Sequence, residues 1–392
     1  MLENENIICL APMDWSDNPV SNTHLMSRVA KKNKVLYVET IGNRVPTLRD
    51  AKRILIRLKN WMRGTRTVES HLAPSNVYVY SPLVIPLHNV SIVRKINHIF
   101  LVSRLRKLVK KLNLERPILW FYAPRLVKLI GQFEEKCVVY HCVDELSTYK
   151  DADNTLFAAM EEELLRKADI VLTPARSLFE RKQKYNTNIH LMPNAADIEH
   201  ISKSRLETTP VAPDIANIKK PIIGYVGTIA NWVDLLLIEK IAVTHPEWSI
   251  VLIGHIHAFV SLADIKKLEI YKNIHLLGRK EYEELPRYYK AFDACIVPLL
   301  LNEHIMYSNP TKIYEYLATG KPIVSTDFPS AREFEHLIRI AKNREDFIHQ
   351  IEKALNEDEP QFVEARLEEA KKHSWDARVE KISELIIQAL NR

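Results

Sequence analysis

Glycine is scarce in this chain, which has only eight among its 392 residues. Glycine serves where the backbone turns sharply or is closely approached, so its positions are informative when it is rare. Half of the glycines fall at the ends of apolar segments with the character of strands: Gly224, Gly227, Gly254 and Gly278. These positions therefore predict strands that end in tight turns.

Cysteine is also rare, and its usual metal-binding patterns do not occur. The sequence has no Cys-x-x-Cys pair and no zinc-type spacing of cysteine with histidine. The four cysteines lie mostly in apolar runs: Cys9, Cys137, Cys142 and Cys295. We therefore expect buried, reduced thiols, with no metal site and no cofactor.

Long hydrophobic segments are missing as well. A membrane-spanning helix needs about 18 or more consecutive apolar residues, and no such stretch is present. The N-terminal sequence MLENENIICLAPMDW contains acidic residues and only a short apolar run, so no secretory signal is expected. These features predict a cytoplasmic protein. A length of 392 residues suggests two domains.

The basic residues are concentrated in one region. Residues 24–128 hold 22 Lys and Arg against 4 Asp and Glu, a net charge of +18. The whole chain carries +6, so the remainder carries −12. Two cationic amphipathic stretches stand out, at 56–67 and 93–112.

Four interpretations fit this basic region: an anionic membrane surface, an anionic acceptor, nucleic acid, or a solvated face. Nucleic acid is not expected, because no nucleic-acid-binding module is present. The membrane or acceptor interpretation assigns this role to the following residues: Arg57, Lys59, Trp61, Arg63, Arg104, Arg106, Lys107, Lys110 and Lys111.

Short apolar runs alternate with amphipathic stretches in both halves of the chain, which predicts two doubly wound, Rossmann-like α/β domains. The predicted strands of the first half are 7–11, 35–39, 77–81, 118–122, 137–141 and 169–173. Those of the second half are 222–228, 249–254, 274–278, 294–299, 322–326 and 337–342. Helical periodicity is clearest at 91–112 and 154–168.

The domain boundary is predicted near residues 194–220, where three prolines and scattered charges interrupt the pattern. We expect a first domain at 1–200 and a second at 215–374. A terminal amphipathic helix, 375–392, either covers the second domain or packs back on the first. A cleft between two such domains is the default binding site.

The stretch NPTKIYEYLATGKPIVST, residues 309–326, reads as a polar loop, a short helix and a short strand. Lys312 falls in the first turn of that helix. A cation there is mildly unfavourable unless an anion lies in front of it. Free backbone N–H groups near Thr311 to Ile313 favour the same anion. A helix start with a surface Lys–Glu pair is the plainer alternative.

Several motifs together resemble the GT-B glycosyltransferases of the broad family 4 group, especially the teichuronic-acid and capsule types. They are VLYVET, VVYHCVDE, LMPNAADIEHI, IIGYVGTIANWVD, LLGRKEYEELPRYYKAFDACIVPL and NPTKIYEYLATGKPIVST. The resemblance implies a GT-B fold in which two Rossmann-like domains face each other across a cleft. It implies that the first domain binds the acceptor and that the second binds a nucleotide-sugar donor.

The resemblance also implies which residues bind the donor. Lys312 then adds charge against the diphosphate, Glu315 accepts hydrogen bonds from the ribose, and the turn at Arg279 holds the base. The full set is Gly227, Thr228, Arg279, Lys280, Asn309, Pro310, Thr311, Lys312 and Glu315. One departure is clear: many relatives carry a second glutamate eight positions before Glu315, where this chain has Tyr307.

The candidate catalytic residues are His141, Asp144 and Asp14, which lie at the end of a predicted strand of the first domain or just after one. These side chains could bind the sugar, orient the acceptor or act as base, and a capping or structural role is the alternative for each. Asn194 and Asp197 are predicted to be structural.

The sequence therefore predicts a metal-independent glycosyltransferase, attached peripherally to the inner face of the cell membrane. It would transfer a sugar from a nucleotide diphosphate-sugar to a growing, lipid-linked cell-surface glycan. Two alternatives stay open at this point. One is a sugar-nucleotide 2-epimerase on the same fold, and the other is a non-catalytic protein that binds a glycan or membrane surface.

Overall fold

The computed structural model divides the chain into two compact units, Met1–Pro193 with Trp375–Arg392, and Asn194–Ser374. The residues that it describes are 1–16, 19–40, 64–67, 76–85, 90–148, 154–357 and 359–391. The second domain was predicted to begin at residue 215. The second unit begins earlier because Ala196, Ile201 and Ala212 are buried in its core.

The first unit contains an eight-stranded sheet in the order β3-β4-β2-β1-β5-β6-β7-β8. Its strands are β1 (Asn6–Leu10), β2 (Lys34–Val38), β3 (Thr65–Thr67), β4 (Val77–Tyr80), β5 (Ile118–Phe121), β6 (Cys137–His141), β7 (Ile170–Thr173) and β8 (Ile189–Leu191). All neighbouring pairs are parallel except β3 with β4. The six strands predicted from apolar runs are confirmed, whereas β3 and β8, each three residues long, carried no such signal.

The helices of the first unit cover both faces of this sheet. They are α1 (Ser21–Val29), α2 (Ser91–Leu112), α3 (Asn154–Lys167), α4 (Arg176–Lys182) and the terminal helix, with a 3-10 helix at Pro124–Leu129. The terminal helix, Trp375–Leu390, packs on α1 and on strands β6 and β7. The connections β4–β5 and β6–β7 run in the same direction across the sheet. Right-handed crossover therefore places α2, the 3-10 helix and α3 on one face.

The second unit contains a six-stranded, all-parallel sheet in the order β11-β10-β9-β12-β13-β14. Its strands are β9 (Ile222–Val226), β10 (Ser249–Ile253), β11 (Ile274–Gly278), β12 (Ala294–Val297), β13 (Ile323–Thr326) and β14 (Arg339–Ala341). All six were predicted. The chain reverses its direction across the sheet between β9 and β12. Ligands of open α/β sheets bind at the carboxyl ends of the strands at such a reversal.

The α-helices that the structure describes in this unit are α5 (Ile198–Ser202), α6 (Leu235–Thr244), α7 (Leu262–Leu268), α8 (Leu285–Ala291), α9 (Glu303–Met306), α10 (Thr311–Thr319), α11 (Pro329–Arg332), α12 (Arg344–Leu355) and α13 (Pro360–Lys372). The last helix of the chain, Trp375–Leu390, is α14. Helix α10 ends at Gly320, whose φ of 74° suits glycine. The buried guanidinium of Arg366 donates hydrogen bonds to the carbonyl oxygens of Gly320 and Leu337, which fixes that end of the helix.

One glycine prediction was wrong. Gly224 lies inside β9, not at its end. A β-carbon there would lie 2.2 Å from the ring of Phe292, so the residue is small because an aromatic side chain packs on the strand. None of the described helices is both long enough and apolar enough to cross a membrane.

Candidate functional site

Two strand-to-helix turns of the second unit pack backbone against backbone. Gly227 follows β9 with φ of 146°, and Gly254 follows β10 with φ of 150°. The N–H of Gly227 donates to the carbonyl oxygen of Ile253 at 2.9 Å. A β-carbon on Gly254 would lie 2.0 Å from the carbonyl oxygen of Gly227. Close approach therefore requires glycine at Gly254, and the positive φ favours it at Gly227, so both strands end in the tight turns that their glycines predict.

The N-terminus of α10 lies beside this turn. The helix begins at Thr311, and no side chain caps it. The N–H of Ile313 reaches the carbonyl oxygen of Pro310 at 3.4 Å, so the N–H groups of Thr311 and Lys312 are the ones left for a ligand. The aligned peptide dipoles make this end of the helix positive.

Lys312 extends from the first turn of α10 to the Gly227 turn. Its Nζ atom lies 3.4 Å from the point where a Gly227 β-carbon would sit, and 5.3 Å from the ring centroid of Tyr225. Among the described residues, the ammonium group forms no hydrogen bond or ion pair. A half-buried, unpaired cation at the positive end of a helix is unfavourable without an anion, and the arrangement indicates an anionic ligand.

Burial shifts the ionisation of both charged residues on this helix. It lowers the pKa of Lys312, although Glu315 acts in the opposite direction. It also raises the pKa of Glu315, although Tyr289 and Lys312 oppose the change. The Tyr289 hydroxyl donates to Glu315 Oε2 at 3.0 Å. Shifted pKa values of this kind cluster at functional sites.

Hydrogen bonds hold α10 in place against the turn. The buried Tyr316 hydroxyl accepts a hydrogen bond of 2.9 Å from the N–H of Val226, the residue before Gly227. The Tyr225 hydroxyl donates to the carbonyl oxygen of Thr228 at 3.0 Å. The strand end, the turn and the helix start therefore form one connected structure.

Asn309 holds the chain before α10 through its side-chain oxygen, so Nδ2 is the side-chain atom left for its predicted role as a donor ligand. Its Oδ1 atom accepts from the N–H of Asn194 at 2.8 Å and from the Tyr314 hydroxyl at 2.9 Å. Asn194 Nδ2 donates in return to the Asn309 carbonyl oxygen at 2.6 Å. A buried amide needs such partners, and this one finds them within the unit.

The two basic residues after β11 differ in their surroundings. Arg279 is exposed, two strand positions from β9 and hence about 10 Å along the same edge of the sheet. Lys280 is committed to an ion pair with Asp214, at 2.6 Å. Tyr282 is buried and stacks on His200 with ring centroids 4.4 Å apart, so it packs in the core.

The first unit places His141 at the carboxyl end of β6. The imidazole is buried and stacks on Tyr122, with ring centroids 4.9 Å apart. Burial, with a smaller contribution from Arg378, lowers the pKa of His141 to about 3. The predicted role as general base therefore does not fit this environment, because a neutral imidazole of such low pKa is a weak base near pH 7. A role through hydrogen bonding remains.

Asp14 and Asp144 are half-buried in the loops that follow β1 and β6. Both have interaction partners in the structure. The strands that lead to them lie on either side of β5, so the two carboxylates belong to the same edge of the sheet. Their catalytic role stays a prediction.

A buried ion cluster in the first unit was missed in the sequence analysis. Lys182 Nζ lies 2.7 Å from Glu161 and 3.0 Å from Glu145, and all three side chains are buried. The Tyr140 hydroxyl donates to Glu161 at 2.8 Å. The three charged residues lie up to 37 positions apart, so no local motif marks them. Glu145 directly follows Asp144, which places the cluster behind that loop.

The predicted basic surface is described only in part. Arg57, Lys59, Trp61 and Arg63 lie outside the described residues. The others belong to α2: Arg104, Arg106, Lys107, Lys110 and Lys111. The Arg106 guanidinium donates hydrogen bonds to the backbone carbonyl oxygen and to the side-chain oxygen of Gln132. The described part of the chain holds no group of three side chains suited to a metal ion. The sequence Asp151-Ala152-Asp153 falls outside it.

Comparison with known proteins agrees with this geometry. Residues 220–357 match the family Glycosyl transferases group 1. A Bacillus subtilis (strain 168) protein assigned as a teichuronic acid biosynthesis glycosyltransferase, TuaH, is 23% identical over 286 residues, covering 67% of this chain and 70% of its own.

Solved structures share the fold at low identity. HepE from Anabaena, in complex with UDP, has a TM-score of 0.66 at 14% identity and covers 98% of this chain and 100% of its own. Sucrose-phosphate synthase from Thermosynechococcus elongatus has a TM-score of 0.70 at 14% identity, with 99% of each chain covered. With the two Rossmann-like units, the solved structures show that the chain has the GT-B fold, and residues 220–357 are similar to the Glycosyl transferases group 1 family.

Proposed function

We propose that the enzyme transfers a hexose from a nucleoside diphosphate-sugar to a growing, lipid-linked cell-surface glycan. The observation that carries the donor assignment is the unpaired Lys312 ammonium, which lies between the Gly227 turn and the open N-terminus of α10. Three positive features converge there: a side-chain cation, two backbone N–H groups and the helix dipole. A diphosphate has the charge and size to neutralise them.

Lys312 and the N–H groups of Thr311 and Lys312 act on the leaving diphosphate. Negative charge develops on its oxygen as the glycosidic bond to the sugar breaks. Groups held in advance at that position stabilise the transition state without reorganisation. Tyr316 and Val226 supply this rigidity because they fasten the helix to the strand. We propose that no metal ion is needed, since Lys312 takes the charge-neutralising role.

Glu315 is the proposed ribose ligand. Its Oε2 atom is oriented by Tyr289, and a second carboxylate oxygen remains to accept hydrogen bonds from sugar hydroxyls. The residue eight positions earlier is Tyr307, so contact with the transferred sugar is not assigned to a second glutamate. Arg279, on the same edge of the sheet, is placed toward the base side.

The acceptor assignment is supported by the relative assigned to teichuronic acid biosynthesis and by the basic first unit. We place the enzyme at the inner face of the cell membrane, where α2 meets anionic lipid. Exposed lysines on this helix include Lys107, Lys110 and Lys111. Each basic residue near an anionic leaflet contributes about 1 kcal/mol, so a few give reversible attachment.

Nucleotide binding is tested by thermal unfolding of the purified full chain with UDP, GDP, dTDP or CMP. We expect one nucleoside diphosphate to raise Tm, and we expect Lys312→Ala and Glu315→Ala to abolish the rise. Lys266→Ala, on the exposed side of α7, is the matched control and retains it. If all variants respond as the wild type does, the nucleotide binds elsewhere and the assignment is wrong.

Metal independence is tested by repeating the thermal unfolding with EDTA and by measuring sugar transfer with and without EDTA. The Asp151→Asn/Asp153→Asn variant, which removes the carboxylates of the Asp-Ala-Asp sequence, is measured in the same way. An unchanged rise in Tm and unchanged transfer rate are expected. Loss of transfer with EDTA, restored by Mg²⁺ or Mn²⁺, contradicts the proposal. Analysis of products from a labelled donor separates transfer to a glycan from epimerisation of the donor sugar.

A further inference from the structure

The N-terminal half of α2 carries an apolar face that the described residues leave exposed. None of residues 91–100 is buried, whereas Leu101, Val102, Leu105 and Leu108 in the following turns are. Ile92, Ile99 and Phe100 have 62%, 66% and 69% of their surface exposed. Ile92, Ile96 and Ile99 follow the spacing of one helical stripe.

The segment before the helix extends this apolar face. Leu83 and Ile85 are both exposed. Asn97 accepts a hydrogen bond of 2.9 Å from the N–H of Ile85 and donates one of 2.8 Å to its carbonyl oxygen. These two bonds hold the segment on α2. We call the exposed set formed by Leu83, Ile85, Ile92, Ile99 and Phe100 the α2 patch. Contiguous exposed apolar side chains mark interaction sites.

A cavity of about 760 Å³ lies between α2, the 3-10 helix and α3, on a different face of α2 from the stripe of Ile92, Ile96 and Ile99. Its apolar lining includes Leu101, Leu129, Phe157 and Met160. The volume is within the range of about 300–1,000 Å³ that is typical of small-molecule sites. The cavity therefore has room for a single apolar chain between these elements.

Among the described residues, the cavity is lined by many more cations than anions. Arg94, Lys95, Arg125, Lys128 and Lys167 line it together with one carboxylate, Glu163, a net charge of +4. Glu163 Oε1 forms ion pairs with Lys128 Nζ at 2.9 Å and with Lys167 Nζ at 2.8 Å. Arg125 lies 3.8 Å from the Phe157 ring centroid, which joins the charged and apolar parts of the lining.

We propose that this cavity binds an anionic membrane lipid, with its headgroup among the cations and one acyl chain between α2 and α3. The charge favours this occupant over a second copy of the chain, because two surfaces of +4 repel each other. The inference rests on the proposed membrane association and does not depend on the transfer reaction.

The test measures binding of dioctanoyl phosphatidylglycerol to the full chain by titration calorimetry, at lipid concentrations below the critical micelle concentration. We expect saturable binding, and none with dioctanoyl phosphatidylcholine. Ala159→Trp fills the cavity from α3 and is expected to weaken binding about ten-fold or more, because several methylene groups lose their site. Ala263→Trp, exposed on α7, is the matched control and leaves binding unchanged.

Charge is tested separately from volume. Lys95→Glu changes the lining by two charges and is expected to weaken binding roughly ten-fold. Ile99→Ser/Phe100→Ser is expected to reduce sedimentation with mixed phosphatidylcholine–phosphatidylglycerol vesicles, while Leu262→Ser/Ile270→Ser, equally exposed in the second unit, does not.

Three results overturn the inference. They are equal binding of both lipids, unchanged binding in Ala159→Trp, and a concentration-dependent dimer that Ile99→Ser/Phe100→Ser abolishes. The nucleotide-dependent rise in Tm is recorded on the same variants. Lipid binding without that rise contradicts the donor assignment alone, and the rise without lipid binding contradicts this inference alone.

Discussion

The hydroxyl of Tyr316 accepts a hydrogen bond of 2.9 Å from the backbone N–H of Val226. The Tyr316 side chain is fully buried between α10 and the end of β9. This bond couples the helix that carries Lys312 to the turn that carries Gly227. The Tyr316→Phe variant leaves the N–H without this partner. We expect it to lower the free energy of unfolding by about 1–3 kcal/mol and to weaken nucleotide binding.

Denaturant unfolding and nucleotide titration measure the two effects. Tyr185→Phe serves as control, because no described residue forms a hydrogen bond with the Tyr185 hydroxyl. Unchanged stability and affinity in Tyr316→Phe would show that the helix is held by packing alone.

Gly254 is expected to tolerate no β-carbon. In Gly254→Ala the new atom meets the Gly227 carbonyl oxygen at 2.0 Å, and φ of 150° is strained for alanine. Relief of the clash must move the Gly227 turn, so we expect a loss of about 1–3 kcal/mol in stability together with lost nucleotide binding. Gly278→Ala is the control, since its β-carbon meets nothing within 4 Å. It is expected to retain nucleotide binding, and equal losses of binding in both variants would contradict the argument.

Nucleotide affinity is expected to fall as pH rises through the lowered pKa of Lys312. A bound diphosphate favours the charged lysine and raises that pKa, so binding takes up a proton in this range. Affinity then falls by at most about ten-fold per pH unit. Stability of the unliganded protein changes with the opposite sign, because the unfolded chain holds the proton to higher pH.

Calorimetry in two buffers of different ionisation enthalpy measures the proton uptake. Lys312→Met is expected to remove both the uptake and the pH dependence of affinity. If Lys312→Met still takes up a proton on binding, or still shows the pH dependence of affinity, another group is responsible for that effect.

His141 is expected to destabilise the protein in acid. Its pKa is about 3 in the folded state, against an ordinary value of 6.5. Between these values the unfolded chain binds a proton that the folded chain does not, so stability is lost as pH falls. At about pH 4.5 this loss is roughly 2–3 kcal/mol relative to neutral pH. Urea unfolding of wild type and His141→Gln at both pH values should show a shallower loss in the variant, and parallel curves would refute the assignment.

Lys182 is expected to be the most costly residue to remove from the buried ion cluster. Burial alone would raise the pKa of Glu145, but Lys182 and Ser147 outweigh it and hold the pKa below its ordinary value. Lys182→Met leaves Glu145 and Glu161 buried without their shared cation, which costs about 3–5 kcal/mol. Chemical unfolding should show near-wild-type stability for the control Lys184→Met, because Lys184 is exposed. Adding Glu161→Gln to Lys182→Met should restore part of the lost stability.

The architecture could be predicted from sequence because buried parallel strands are continuous apolar runs. Twelve of them were found, and β6, β11 and α2 match their predicted bounds. Strand β3 was missed because its sequence Thr-Arg-Thr contains no apolar residue, and β8 because its three residues show no period. Strand β14 is equally short but lies within the longer run LIRIAK at 337–342, which made it visible. The unit boundary was placed late because residues 194–214 pack on the second core without regular periodicity.

Only the local part of the site could be predicted. Gly227, Thr311, Lys312 and Glu315 belong to two short motifs, and helix geometry alone relates the last three. The hydrogen bond between Asn309 and Asn194 could not be predicted, because the two residues lie 115 positions apart. The pKa of His141 depends on a buried aromatic neighbour and on Arg378 in the last helix. Such environments are made by tertiary packing and leave no trace in a local pattern.

The hydrogen bonds of Asn194 and Ala196 have a consequence for expression of the second unit on its own. Ala196 donates to the carbonyl oxygen of His373 at 3.0 Å and pairs with Ser374, so the first and last residues of this unit are neighbours. Residues 194–374 are thus one uninterrupted segment whose ends meet. We expect this segment to be expressible as an independent polypeptide or as a circular permutant, provided that it starts at Asn194, which anchors the loop before α10.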